Sequence, residues 1–309
     1  MHIIEIPEAN LIRYIPADLS ECDKQQYIDM CELILLYQNQ KITSNELLTH
    51  SVYKLMKMKP VVSKTEEEAE LKGTNIVLIQ ELIESTFFSK IELEDNTFQY
   101  LINQNYIENP VPIFKPLWRN YYGPDNAFKN VKIGEYTDAL KLFLQFNVIG
   151  DMELLYEFVA TLYRPKAPFN FITKHFSDYD GDCRIRYNSN KLEKRIKALK
   201  HSPIGFIWGV YLYFASFQSV LAMGEIPWGD KTLNLSLLYS GSEPTQEIDA
   251  ADLGLDSLIF AMAESGAFGD FDKVQQTPFW TMIIKMYDSR VKQLQLDKQQ
   301  ENANNQSPS

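Results

Sequence analysis

Apolar residues recur at helical spacing along most of the chain. In "SECDKQQYIDMCELILLYQ", Tyr27, Met30, Cys31, Ile34 and Tyr37 fall on one face, with Ser20 placed to serve as N-cap. In "TSNELLTHSVYKLMKMKP", Thr43 and Glu46 have capping-box spacing, Leu48, Val52, Leu55 and Met56 form the apolar stripe, and Pro60 ends the run. The first sixty residues therefore read as helical. Glu66, Glu67 and Glu68 open a further helix with Ile76, Ile79, Ile83 and Phe87 on one side. The pattern then changes to period two at Ile91 and Leu93, with a turn expected at Asp95-Asn96 and a second run at Phe98, Tyr100 and Ile102. Pro110, Pro112 and Pro116 follow and argue against regular structure. A small β-hairpin or irregular arm is expected here.

The helical period returns at "YTDALKLFLQF", with Leu140, Phe143 and Leu144 together. Gly150 is suited to close that helix in the left-handed conformation, and Asp151 to cap the next. That next helix carries Met152, Leu155, Tyr156, Val159 and Tyr163 and stops at Pro165. After the basic stretch "KLEKRIKALK" comes "PIGFIWGVYLYFASFQSVLAMG", residues Pro203 to Gly224, which has no charged side chain. It is about as long as the roughly 20 residues a membrane span needs. Gln218, Ser216 and Ser219 interrupt it, however, and Tyr211 and Tyr213 sit in its middle. The amphipathic helices elsewhere need a central partner, so a buried core helix is the expectation and a single span the minority reading. Phe206, Val210, Phe214 and Phe217 should then be buried in protein.

Residues 232–249 read as a loop, "DLGLDSLIFAMAES" as a short helix, and "GAFGDFDKVQQTP" as a connector. A last helix places Trp280, Ile283, Ile284 and Tyr287 on one side. The expected fold is mainly α, a multi-helix orthogonal bundle around the central apolar helix. Its parts are a helical segment (1–60), a connector, helix and arm (61–120), a main helical domain (121–296) and a disordered polar tail (297–309).

Composition narrows the function. Hydrophobic residues are 45% and charged residues 23% of the 309, ordinary for a soluble globular protein. A net charge of -11, with one basic cluster at Lys191 to Lys200, argues against a nucleic-acid partner. Cys22, Cys31 and Cys183 give neither a disulfide framework nor zinc spacing, and the start of the chain lacks signal-peptide character, so an intracellular setting is expected. His50 has no second ligand one turn away. "SDYDGDCR" offers Asp178, Asp180 and Asp182 as weak metal candidates, but Gly181 and Ser189 stand where a calcium loop would not have them. Cys183 and His175 are near only in sequence, and Asp270 and Asp272 read as turn formers. No Gly-rich phosphate loop, GxSxG or HExxH is present. Neither a catalytic centre nor a cofactor is expected.

One block has a familiar form. Gly123, Pro124, Asp125, Asn130, Gly134, Glu135 and Tyr136 precede a helical hairpin that ends in Leu162, Tyr163, Arg164 and Pro165. Pro203, Gly209, Tyr213 and Phe214 follow on the uncharged helix. This order resembles a protein family of tailed bacteriophages and prophages, over about a third of the chain. The resemblance implies a non-enzymatic role in virion morphogenesis, by analogy with tail assembly chaperones, which hold apolar segments of the tape-measure protein. The implied partner is a phage tail or tape-measure protein and the implied place the host cytoplasm; a structural virion component (connector, ring or tail part) is the alternative. Trp280, Ile284 and Tyr287 are candidate partner contacts by helix-in-groove binding. The local reading makes Arg164 a cap for the preceding helix and Glu135 an acid favoured near a helix start.

Overall fold

The computed structural model describes residues 1–6, 11–92, 98–169, 172, 175–176, 179–228, 231–238, 263–264 and 269–305. These residues form a mainly helical fold with a central apolar helix. The helices are α1 (Lys24–Gln38), α2 (Ser44–Leu55), α3 (Glu66–Phe87), α4 (Ile133–Ile149), α5 (Met152–Leu162), α6 (Glu193–Leu199), α7 (Ile204–Met223), α8 (Phe271–Gln275) and α9 (Phe279–Asn305). The strands are β1 (His2–Ile6), β2 (Leu11–Ile15), β3 (Phe88–Glu92), β4 (Phe98–Ile102), β5 (Ile113–Phe114), β6 (Tyr121–Tyr122), β7 (Arg164–Pro165), β8 (Glu225–Trp228) and β9 (Lys231–Asn234). Two compact units result, one of Met1–Gly123 with Glu193–Ser216, the other of Pro124–Leu192 with Phe217–Ser309.

In the first unit, capping chemistry sets the helix starts. Asp23, not Ser20, caps α1 and forms a capping box with Gln26; Ser20 instead donates to Asp18, which caps a short 3-10 turn. Thr43 and Glu46 make the expected box on α2. Gln26 Nε2 donates to Leu55 O at 2.6 Å, joining the start of α1 to the end of α2. The first residues are not helical: β1 and β2 pair antiparallel, with His2 opposite Ile15. Isoleucines lose rotamer freedom in a helix, and Pro7 breaks the run, so two short strands win. The expected arm is a hairpin of β3 and β4, with Phe88 opposite Ile102. The turn expected at Asp95-Asn96 lies outside the described residues. Among the prolines, β5 still pairs with β6 over two residues each.

The charge-free stretch is α7, and its expected anchors are buried: Phe206 is 1% exposed, Val210 3%, Phe214 0% and Phe217 1%. Small residues permit close approach to α1. A side chain at Gly205 would collide with the carbonyl oxygen of Ile28, and one at Gly209 would lie 2.6 Å from the Tyr27 ring. Polar groups on this face are also answered. Tyr27 Oη donates to Gly209 O at 2.7 Å, and Ser216 Oγ accepts from Tyr106 N at 2.7 Å and donates to Tyr106 O at 2.6 Å. The Phe206 ring stacks on Phe114 with centroids 3.8 Å apart.

The second unit holds the hairpin of α4 and α5. Gly150, at φ 72°, closes α4, and Asp151 caps α5 by accepting from Glu153 N. Phe143 is buried and Leu140 half-buried, but Leu144 is 53% exposed. The stretch expected to be a loop after residue 231 instead contains β9, paired with β8, and a 3-10 turn at Leu235–Leu238; residues 239–249 lie outside the described ones. Most of "DLGLDSLIFAMAES" also lies outside them. The connector contains α8, started by Asp270 accepting from Lys273 N. On α9 the buried side chains are Phe279, Met282 and Ile283. This helix continues to Asn305, through much of the tail expected to be disordered. Lys292 to Asp288 and Gln293 to Asp297 bridge successive turns, and no glycine or proline intervenes before Pro308.

Gly205→Ala tests the approach of α7 to α1. Overpacking against backbone is expected to cost about 1–3 kcal/mol, at the upper end of that range, read as a lower urea midpoint. An unchanged midpoint would mean that the two helices do not meet there.

Candidate functional site

The site is built where α4 begins. Lys132 offers no side-chain cap, and Ile133 N donates to Thr277 O at 2.9 Å. Gly134 lets this end of α4 lie against α8, since an added Cβ would stand 3.1 Å from that of Gln275. The next residue, Glu135, points inward and has no solvent exposure.

Two arginines meet it. Arg164 lies just after α5, in β7. The segment carrying Arg184 is laid beside it by Ile185 N donating to Pro165 O and Ala167 N donating to Cys183 O, each at 2.9 Å. Arg164 Nη2 reaches Glu135 Oε2 at 2.7 Å and Asp182 Oδ2 at 3.2 Å. Arg184 grips both acids at once. Its Nη1 lies 2.9 Å from Glu135 Oε1 and its Nη2 3.3 Å from Oε2; its Nε lies 2.8 Å from Asp182 Oδ1 and its Nη2 3.1 Å from Oδ2. The planar fork of a guanidinium suits this double grip and an ammonium would not. Arg184 also donates to Leu162 O at 2.8 Å and Asn130 O at 3.0 Å. It is therefore Arg184, not Arg164, that satisfies a free carbonyl at the end of α5. Glu135 lies in the first turn of α4, as expected, and there it also serves as a buried counter-ion.

Burial pushes the Glu135 carboxyl above its ordinary range, with Arg164 and Arg184 pulling the other way. Burial lowers Arg164. Arg184 is raised: burial opposes its charge, but Glu135 and Asp182 outweigh burial. The neighbouring Cys183 thiol is raised by burial and then by Asp182, the opposite of what a nucleophile needs.

Beside the cluster lies a pocket of about 370 Å³, lined by Lys132, Arg164, Asp180, Asp182, Arg184 and Arg186, with Tyr187 and Gln276. Asp180 binds Lys132 Nζ at 2.8 Å and accepts from Asp182 N at 3.0 Å. Burial raises its carboxyl, but the Lys132 and backbone bonds prevail and hold it below the ordinary value. Tyr187 donates to Asp138 at 2.6 Å, and its ring centroid lies 5.7 Å from Arg164 Cζ. Two of the three metal candidates are thus committed to cations, and Asp178 lies outside the described residues. Among the described residues, no group of three or more His, Cys, Asp or Glu side chains could hold a metal ion.

The partner-contact candidates are half-buried. Trp280 is turned inward, its Nε1 donating to Ala127 O at 2.6 Å and its ring edge-on to Phe217 with centroids 6.1 Å apart. The sequence reading missed Arg184, whose only signal was an arginine two residues after an acid in a polar turn. No protein-family model, curated protein or solved structure matches the chain.

Glu135→Leu leaves two buried guanidiniums short of a counter-charge and should cost about 3–5 kcal/mol in urea unfolding. Replacing Glu135, Arg164 and Arg184 together by apolar residues should cost much less than the three single changes summed. Additive losses would refute the coupling.

A second expectation concerns acid. The Asp180 value is lowered from the ordinary 3.8, so its pairing adds stability above that pH and loses it as pH falls through the lowered value. Asp180→Asn should flatten this limb of the stability profile; superimposable acid profiles would remove the pair from the account.

Proposed function

We propose that the chain is a non-enzymatic bacteriophage morphogenesis protein, acting as a tail assembly chaperone-like factor on apolar helical segments of a tape-measure-type partner. The observation that carries this reading is the tip of the α4–α5 hairpin. Leu144 is 53% exposed, Val148 86%, Ile149 66% and Met152 37%. Leu144 and Val148 stand one turn apart on α4, and the other two flank the turn at Gly150. Burying such side chains against a partner supplies about 1.5–3 kcal/mol each, enough to bind an apolar helix.

The tip replaces α9 as the favoured contact surface, because Trp280 is spent on the packing of its own unit. The motif residues that carry the resemblance are consistent with a fold-defining part: Glu135 and Arg164 bond each other, and Gly134 admits α8. Burial of Phe206, Val210 and Phe214 supports a soluble protein over a single-span one, although α7 is long and apolar enough to cross a membrane.

Co-expression with a tape-measure protein tests the proposal. The expected outcome is a co-purifying complex and more soluble partner, both lost in a Val148→Asp, Ile149→Asp variant that keeps its helical circular dichroism. No complex with the unchanged chain would overturn the reading. Detection of the chain in purified particles would favour the structural alternative.

A further inference from the structure

The pocket beside the ion cluster has chemistry that the protein-binding reading does not use. Arg184 is saturated: each of its guanidinium nitrogens has an acceptor within the protein. Arg164 is not. It is 1% exposed and its hydrogen bonds to Glu135 and Asp182 both run through Nη2; Nε is sealed from solvent without an acceptor, while Nη1 is not sealed and has no acceptor among the described residues. A guanidinium held this deep, with donors to spare on the wall of a cavity, has been desolvated without being fully answered.

In the lining itself cations outnumber carboxylates. Four cations line the pocket, Lys132, Arg164, Arg184 and Arg186, against Asp180 and Asp182; Glu135 behind the wall adds one more negative charge. Asp125 near Arg184 and Asp138 on Tyr187 are further acids outside the lining, so the positive excess is confined to the lining itself. The carboxylates are also occupied, Asp180 by Lys132 and Asp182 by Arg184. Arg186 stands exposed and, among the described residues, bonds only through Nε, to Gln276 Oε1 at 3.2 Å, which leaves its terminal nitrogens available.

We propose that this pocket binds a small oxyanion, the phosphate group or carboxylate of a small molecule, between the free donors of Arg164 and those of Arg186. The oxyanion would accept from Arg164 Nη1 and from the terminal nitrogens of Arg186. At about 370 Å³ the cavity lies near the lower end of ligand pockets, which run from about 300 Å³ upward. Two carboxylates in the wall, with Glu135, Asp125 and Asp138 near its lining residues, exclude polyphosphates and nucleic-acid backbones.

Arg164 cannot be replaced without disturbing the fold, so Arg186 is the test position. The full chain is titrated with inorganic phosphate and, separately, with succinate, ionic strength being held constant with sodium chloride. Binding is read by thermal unfolding and isothermal calorimetry. One or both anions should give a saturable rise in melting temperature and a single-site isotherm; which of them does so identifies the phosphate or the carboxylate source. Arg186→Gln should weaken that affinity about tenfold, the loss of one charge-assisted hydrogen bond, and Arg186→Lys should retain most of it. The proposal is overturned if neither anion saturates, if chloride alone reproduces the effect, or if Arg186→Gln binds as the parent does.

Discussion

A carboxylate with no exposure to water sets the terms for the second unit. Removing Glu135 and its guanidiniums from solvent costs several kcal/mol per ion, and only close, well-aligned pairing recovers that. The pairing requires three separate stretches at once: the start of α4, the exit of α5 at Arg164, and the segment through Asp182 and Arg184. Any arrangement that misplaces one of them strands a buried charge. Such a cluster adds little net stability compared with apolar packing, but it penalises the alternatives heavily. It fixes where α5 ends and how the following chain turns back.

The first unit meets the same demand by other means. Its part of α7 carries no charge, and backbone carbonyls, tyrosine hydroxyls and Ser216 make its hydrogen bonds to neighbouring segments. Glycine at 205 and 209 brings α7 so near α1 that Tyr27 can reach the carbonyl of Gly209 directly. Tyr106 then shares its own hydroxyl with that of Tyr27 at 2.8 Å. Apolar area supplies the driving force, and a short chain of hydrogen bonds fixes the register.

These two devices differ in how far the sequence revealed them. Local chemistry was readable: the capping box of Thr43 and Glu46, the left-handed Gly150, the cap at Asp151, and the burial of α7 all follow from residue types at set spacing. The β1–β2 hairpin was less so, because its two five-residue runs are too short to display a decisive period. Leu144 shows a further limit, since helical spacing says which residues share a face but not where a neighbour ends. The ion cluster was hidden for a stronger reason. Glu135, Arg164 and Arg184 are 29 and 20 residues apart along the chain, and each by itself has an adequate local explanation. Only their meeting, through Pro165 and Cys183 carbonyls, shows that the "GE" and "RP" motifs are two halves of one contact.

The cluster and the pocket also differ in what their arginines have left to give. Arg184 spends its donors on two carboxylates and two carbonyls, so it can hold the segments together but has nothing to offer a ligand. Arg164 shares the same counter-ion yet bonds only through Nη2 among the described residues, and its Cζ lies over the Tyr187 ring. Its position is therefore fixed before any ligand arrives, and an incoming group need not bear the entropy of ordering that side chain. A saturated arginine beside an unsaturated one thus separates support from recognition within a single charged cluster.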